Sequence, residues 1–299
     1  MMQYDVTILT DSRYVNPKKI DQYVQNVLDE DGLLQSACER LGLKTFRTNW
    51  DNPDFDWSCT RYIVFRTTWD YFERFGEFSK WLNSVSAKTK LINSKDLIYW
   101  NLDKKYLIEL EAKGVRIPPT IYVEKGDQRT LEEITKESGW SNFILKPAVS
   151  GAARHTYKFS KGEEYKHEEV FQALIGEESM MLQEYQEQIT TKGEVSYMLF
   201  GGKFSHAILK KAKSGDFRVQ DDFGGTVHSY NPSEEEIKFA EFALSKCIEQ
   251  PVYARVDVFW DNNDDLVLGE LEMIEPELWF RERDVAADKC AEAIKEFID

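Results

Sequence analysis

Three carboxylates near the end of the chain have the types and spacing of a cation site. Asp257 lies in the β-rich run ARVDVFW, and Glu270 and Glu272 lie in the next, LVLGELEMI, across the turn Asp261-Asn262-Asn263-Asp264. Side chains alternate faces along a strand, so the two glutamates share a side. Three carboxylates within about 4 Å of one another repel by roughly 4 kcal/mol per pair at an effective dielectric of about 20, so such a group calls for cations. Hard oxygen ligands suit Mg²⁺ that is also held by phosphate oxygens. The plainer reading is the solvated face of an exposed hairpin.

Cations of a second kind sit earlier in the chain. Lys146 ends the apolar run FILK and precedes Pro147 and the small-residue turn Ala148-Val149-Ser150-Gly151-Ala152-Ala153. A lysine at the end of a buried strand can reach a phosphate, and small residues such as Ser150 and Gly151 let backbone N–H groups approach it; an ordinary surface lysine after a strand is the alternative. Lys104 follows Asp103 and is expected in the first turn of a helix, where a cation is mildly unfavourable to the dipole. Lys210, Lys211 and Arg218 cluster around SGDFR, where a guanidinium could clamp a transferring phosphoryl group or simply belong to a charged loop. Arg66, Trp69, Asp70 and Tyr71 follow an apolar strand, whose carboxyl end faces the ligand crevice in an open α/β sheet. Arg66 could hold a substrate carboxylate there, or pair with Asp70 among packing aromatics. His155, His206 and His228 are expected at the surface.

The elements that must position these residues follow from periodicity. Runs at Tyr4–Leu9, Lys44–Arg47 and Tyr62–Phe65 read as strands and Gly32–Leu41 as a helix ended by Gly42, giving a small α/β lobe over residues 1–90. Residues 91–119 read as a linking strand and a helix, Leu102–Ala112, with Pro118 and Pro119 marking a boundary. Strand-rich patterns then give an α+β lobe over 120–185 and another over 186–299, the latter with a helix from about Glu234 to Cys247.

Composition narrows the classes. The 299 residues are 42% hydrophobic, enough for a sizeable core, and carry a net charge of −15. No basic stripe exists to collect phosphates along a backbone, so no nucleic-acid or membrane partner is expected. With neither a membrane-length apolar run nor a secretory pattern at the start, the protein is expected in the cytoplasm. Cys38, Cys59, Cys247 and Cys290 lack metal or redox spacing and read as structural thiols.

Taken in order, LDKK, FILKPAVSG, LQEYQE, GEVSY, KSGDFRVQDDFGG, RVDV and GELEMIEP resemble the ATP-grasp superfamily, in its branch with glutathione synthetase and the ribosomal-protein glutamate ligase. That resemblance implies an α/β (α+β) fold in which a small N-terminal lobe accompanies two α+β lobes gripping ATP. It implies Lys104 and Lys146 on the α- and β-phosphates, Glu184 and Tyr185 as the adenine hinge, and Glu194 on the ribose hydroxyls. Arg218 would steady the γ-phosphate, and Asp257, Glu270 and Glu272 would hold Mg²⁺. Glu272 stands where many relatives have asparagine, and SGAAR at Ser150–Arg154 is less glycine-rich than the usual loop. WDNPDFDW, RTTWDY and EPELWF further resemble a narrower group that includes the ATP-grasp cyclase of D-cycloserine biosynthesis.

The implied activity is ATP- and Mg-dependent: a carboxylate-like oxygen is phosphorylated and an amine then attacks, giving a C–N bond between two molecules or a ring within one. Kinase-like or hydrolytic use of the site predicts no new C–N bond. A regulatory module without chemistry predicts missing charged positions, and none is missing. The expected partner is a small amino-acid-like substrate, with a homodimer left open.

Overall fold

In the computed structural model, which describes residues 2–151, 153–219, 224–283 and 285–299, the first sheet has the order β2-β1-β3-β4. It comprises β1 (Tyr4–Thr10), β2 (Thr45–Asn49), β3 (Thr60–Thr67) and β4 (Lys90–Ile92). All its pairings are parallel, so its strands need crossovers, two of them helical: α1 (Gln22–Arg40) and α2 (Phe75–Val85). α1 begins ten residues before the expected Gly32, where the Asp21 carboxylate accepts the Val24 N–H at 3.0 Å. Its apolar stripe is interrupted by two buried acids, Glu30 and Asp31, and this hides the periodicity. They are tolerated because Arg281 lies 3.1 Å from Glu30 and Arg47 lies 2.7 Å from Asp31.

The helix expected over Leu102–Ala112 starts later, as α4 (Tyr106–Ala112), and an unexpected helix, α3 (Lys95–Leu102), precedes it. Asp103 between them is extended, its carboxylate accepting from the Lys105 N–H and the Tyr122 hydroxyl, each at 2.9 Å. A short acid that offers such local bonds competes with the helix. Lys104 therefore stands in the break, outside the first turn of α4.

The second sheet is antiparallel, ordered β5-β8-β6-β7, from β5 (Thr120–Val123), β6 (Asn142–Pro147), β7 (Tyr157–Ser160) and β8 (Met180–Glu184). α5 (Leu131–Ser138) and α6 (Glu168–Ile175) cover one face, packing Leu131, Ile134, Phe171 and Ile175 on Phe143, Leu145 and Phe159. Alternation along β6 then leaves Ile144 and Lys146 on the opposite, uncovered face.

After the short α7 (Gln188–Thr191), the third sheet runs β11-β10-β9-β12-β13, from β9 (Glu194–Phe200), β10 (Lys203–Lys211), β11 (Thr226–Tyr230), β12 (Tyr253–Trp260) and β13 (Leu266–Glu272). α8 (Glu234–Ser245) packs Ala240, Ala243 and Leu244 on one face, against Val195, Tyr197, Val256 and Val258. On the other face Met198, Ile208 and Tyr253 join a core with α1 and the final helix α9 (Ala286–Ile298), so α9 lies between the first and third sheets. Cys38 and Cys290 are buried in that core, and all four cysteines are free. Among the described residues no helix is long and apolar enough to cross a membrane.

Candidate active site

The core-facing side of the third sheet turns polar toward one end. Register pairs Lys210 with Glu194, Ser196 with Asp257, Asp257 with Glu270 and Arg255 with Glu272, and cross-strand partners share a face. Lys210 Nζ lies 2.5 Å from Glu194 and 3.5 Å from Asp257. Arg255 donates to Asp257 from Nε at 3.0 Å and from its NH2 group at 2.8 Å, and it also pairs with Glu272. The Ser196 hydroxyl donates to Asp257 as well.

These contacts set the charges. Burial opposes ionisation of Asp257, but Arg255 and Lys210 outweigh it and hold the carboxyl down at about 2. Burial likewise opposes the charge on Lys210, yet Asp257 and Glu194 keep it above its ordinary value. Burial raises Glu194, and Lys210 offsets this only in part. Glu272 is pushed up to about 8, first by burial and then by the carboxylates of Glu270, Asp257 and Glu275, against the pull of Arg255.

The expected acidic trio, Asp257, Glu270 and Glu272, lies on this one face with Arg255 among them. Among the described residues no three His, Cys, Asp or Glu side chains converge as metal ligands do. Arg255, two residues before Asp257 on the same face, takes the aspartate for itself. Glu270 and Glu272 do share a face, as their spacing implied.

A cavity of about 730 Å³ lies against this face, with walls from the second and third sheets and from the turns and α1 of the first lobe. Lys104, Lys146, Ser150, Gly151, Glu184, Tyr185, Glu194, Lys210, Arg218, Glu270 and Glu272 line it; Asp257 and Arg66 do not. Lys104 Nζ sits 3.0 Å from Glu270 and donates to the Ser150 carbonyl at 2.5 Å, while its N–H donates to Ala148 at 2.9 Å. The helix break at Asp103 thus frees Lys104 to tie the loop after β6 to β13. Lys146 is pushed down to about 8 by burial, with Lys104 adding to the effect and Glu270 opposing it. It makes no ion pair among the described residues.

Gly151 touches the first lobe, since a Cβ there would lie 2.7 Å from the Phe72 ring. At the linker between the second and third sheets, the Tyr185 N–H donates to Asn142 at 3.0 Å and its carbonyl accepts from Asn262 at 3.1 Å. Lys158 Nζ sits 3.4 Å from the Tyr185 ring centroid. Arg218 is 2.7 Å from Asp216, whose carboxylate also accepts the Phe217 and Arg218 N–H groups. Ala152 of SGAAR and Gln220–Phe223 of KSGDFRVQDDFGG lie outside the described residues.

Arg66 lies away from the cavity. It is 1% exposed, donates to the Pro276 carbonyl at 2.9 Å, lies 4.0 Å from Glu30 and stacks over Phe280 at 5.3 Å. The segment after β13 folds back over it and shuts it away from the cavity. Nor does it pair with Asp70, which accepts from Trp50 at 2.7 Å and from Arg74 at 2.8 Å. His206 is buried, its ring bonded to the Leu278 carbonyl at 2.9 Å, whereas His155 and His228 are exposed as expected.

Arg13, Arg255, Glu275 and Trp279, not expected from the sequence, also stand on the wall. The Glu275 carboxyl is pushed up to about 7 by burial, with the Tyr71 hydroxyl bond opposing. EPELWF carries two of these residues, and its aromatic pattern was the available signal.

A four-stranded antiparallel sheet and a five-stranded sheet closing lysines and glutamates around one cavity, beside a parallel N-terminal sheet, define an ATP-grasp ligase. Residues 123–296 match the RimK-like ATP-grasp domain, and the chain belongs to that family. Residues 6–93 match the N-terminal domain of the D-cycloserine synthetase DcsG. The cycloserine biosynthesis protein DcsG of Streptomyces lavendulae is 28% identical over 281 residues, spanning 88% of this chain and 92% of that one. A crystal structure of D-cycloserine synthetase DcsG superposes with a TM-score of 0.85 at 26% identity, covering 98% of this chain and 99% of the other. The D-alanine–D-alanine ligase of Bacillus anthracis shares the fold, with a TM-score of 0.67 at 14% identity over 99% and 97% of the two chains. The protein is therefore an enzyme of the ATP-dependent ligase and cyclase class.

Proposed function

We propose that this enzyme phosphorylates a carboxylate or ureido oxygen of a small amino-acid-like substrate with ATP and then joins the activated carbon to an amine. The observation that carries this reading is Lys146, a half-buried cation without an ion-pair partner that opens on the same cavity as Lys104, Arg218 and Glu270. Its depressed pKa marks a charge that lacks a counter-anion, and a polyphosphate supplies one. In the same reading Glu184 and Tyr185 hold the adenine edge, Glu194 meets the ribose, and Arg218 takes the γ-phosphoryl group.

The donors suit a hard divalent cation in part. Glu270 and Glu272 offer carboxylate oxygens at the wall, and the crowding of negative charge that lifts Glu272 is what a cation relieves. Mg²⁺, when bound, would neutralise and orient phosphate oxygens. The chain's own residues do the rest. Lys104 and Lys146 place the phosphates, Arg218 follows the charge that builds on the transferring group, and closure of the second sheet keeps water from the activated carbon. One substrate oxygen attacks the γ-phosphorus and ADP leaves. The amine nitrogen then attacks the carbon, phosphate departs with that oxygen, and the nitrogen gives up a proton.

Ring closure within one molecule is the second reading. It is supported by likeness over nearly the whole length, first lobe included, to proteins named for cycloserine formation. Both readings are tested by incubating the protein with Mg·ATP and a panel of amino acids and their ureido derivatives, following ADP release and product mass. ADP with a product one water lighter than two joined substrates supports ligation; one water lighter than a single substrate supports closure. A phosphorylated product with no C–N bond refutes both.

A further inference from the structure

The first sheet places a second set of residues on this cavity. Its order β2-β1-β3-β4 reverses direction between β1 and β3, and ligands of open parallel sheets sit outside the carboxyl ends of the strands at that point. The turn after β1 carries Arg13 and Tyr14, and the turn after β3 carries Trp69; all three line the cavity.

Arg13 is held for use. Asp11, fully buried, accepts the Arg13 N–H at 2.8 Å, Nε at 3.1 Å and the NH2 group at 2.6 Å. A guanidinium has five N–H donors in a rigid fork, and the NH1 group here has no hydrogen-bond partner among the described residues. The side chain is 55% exposed, so this free edge is open to a ligand. Beside it the Tyr14 ring lies 5.3 Å from the guanidinium and 6.1 Å, nearly perpendicular, from Trp69. Trp69 is fixed by its indole N–H, which donates to the Glu275 carbonyl at 2.9 Å.

We propose that Arg13 is the anchor for the substrate's carboxylate, that Asp11 positions it, and that Trp69 forms the flat wall against which the substrate's body lies. The substrate class is a free amino-acid-like molecule. Its carboxylate takes the NH1 edge of Arg13, and its amine is left for the acid Glu275, which also lines the cavity. This rests on the ligase reading above, because it assigns the acceptor end of the same cavity. It also gives to Arg13 the part that position in the sequence had suggested for Arg66.

The test uses the panel of free amino acids and ureido derivatives, each beside its methyl ester, with binding measured by calorimetry and turnover by ADP release. Arg13→Gln is expected to raise the KM of the active panel member by about 30- to 1,000-fold while the Kd for Mg·ATP stays within about two-fold. The wild type is expected to bind the acid more tightly than its ester, Arg13→Gln to bind the two alike, and Arg13→Lys to recover part of the difference. Asp11→Asn should raise KM more than it lowers kcat. A wild type that binds acid and ester alike overturns the anchor, as does an Arg13→Gln protein that still tells them apart as the wild type does; either leaves the ligase reading intact if Mg·ATP binds and ADP is released. A wild type that binds no Mg·ATP removes the ligase reading, and the anchor falls with it.

Discussion

Replacing Lys210 by methionine keeps the apolar stem and removes the charge that Glu194 leans on. Nζ lies 2.5 Å from Glu194 and 3.5 Å from Asp257, and the Lys210 side chain is 5% exposed. Asp257 would keep Arg255 and Ser196, so the loss falls on Glu194. Breaking a buried pair by removing one partner costs about 3 to 5 kcal/mol, because the remaining charge stays desolvated and unpaired. The cavity lets water reach Glu194 from one side, which puts the expectation at the low end, about 3 kcal/mol. Glu194→Gln leaves Lys210 with Asp257 and should cost only about 1 to 2 kcal/mol. In Lys210→Met/Glu194→Gln no charge is orphaned, so the total should fall below the sum of the single changes by about 1 to 2 kcal/mol. Urea unfolding without nucleotide reads this out, since a bound ligand would add its own stabilisation. A Lys210→Met protein within about 0.5 kcal/mol of the wild type, or single changes that add to within that margin, would show that the two side chains are independently solvated.

Lys146→Met should weaken Mg·ATP binding at least about tenfold by calorimetry, while the nucleotide-free protein is as stable as the wild type or more so, because a charge disfavoured by burial is gone; unchanged affinity would refute its phosphate role. His206 is held down at about 4 by burial and by the nearby cations Arg283 and Lys289, against the bonds its ring makes to the backbone of Leu278 and Trp279. Between that value and the ordinary 6.5 the unfolded chain binds the proton and the folded one does not, so this contribution is fully present above pH ~6.5 and is lost as pH falls toward ~4, up to about 3 kcal/mol. His206→Asn should flatten that part of the stability profile measured by urea unfolding, and an unaltered slope between those values would refute it.

What the sequence made legible was local. The two-residue period of a strand placed Glu270 and Glu272 together, and the apolar run FILK put Lys146 at the end of a strand. Contacts between distant segments were not legible. Arg255 is a near neighbour, two residues before Asp257 on one strand and so on the same face, yet RVDV alone does not say whether the aspartate will meet that arginine or a cation from solvent. Glu30 and Asp31 fall outside the expected helix, and the arginines that make their burial tolerable come from β2 and from the turn at Arg281.

Arg66 and Arg13 show the same limit in the form that matters most for the site. Both belong to the carboxyl ends of strands next to the point where the first sheet changes direction, so the rule for open sheets treats them alike. What separates them is the cover. The segment from Glu275 to Phe280 returns over β3, gives its Pro276 carbonyl to Arg66 and lays Phe280 against it, while the Trp69 indole pins the same segment in place. The turn after β1 lies outside that cover, and the buried Asp11 holds Arg13 at the rim. A strand-end arginine is available to a ligand when its charge is balanced from beneath and its free edge stays open, and it is a structural tie when a later segment occupies that edge. Which of the two occurs depends on EPELWF, about 210 residues away in the chain.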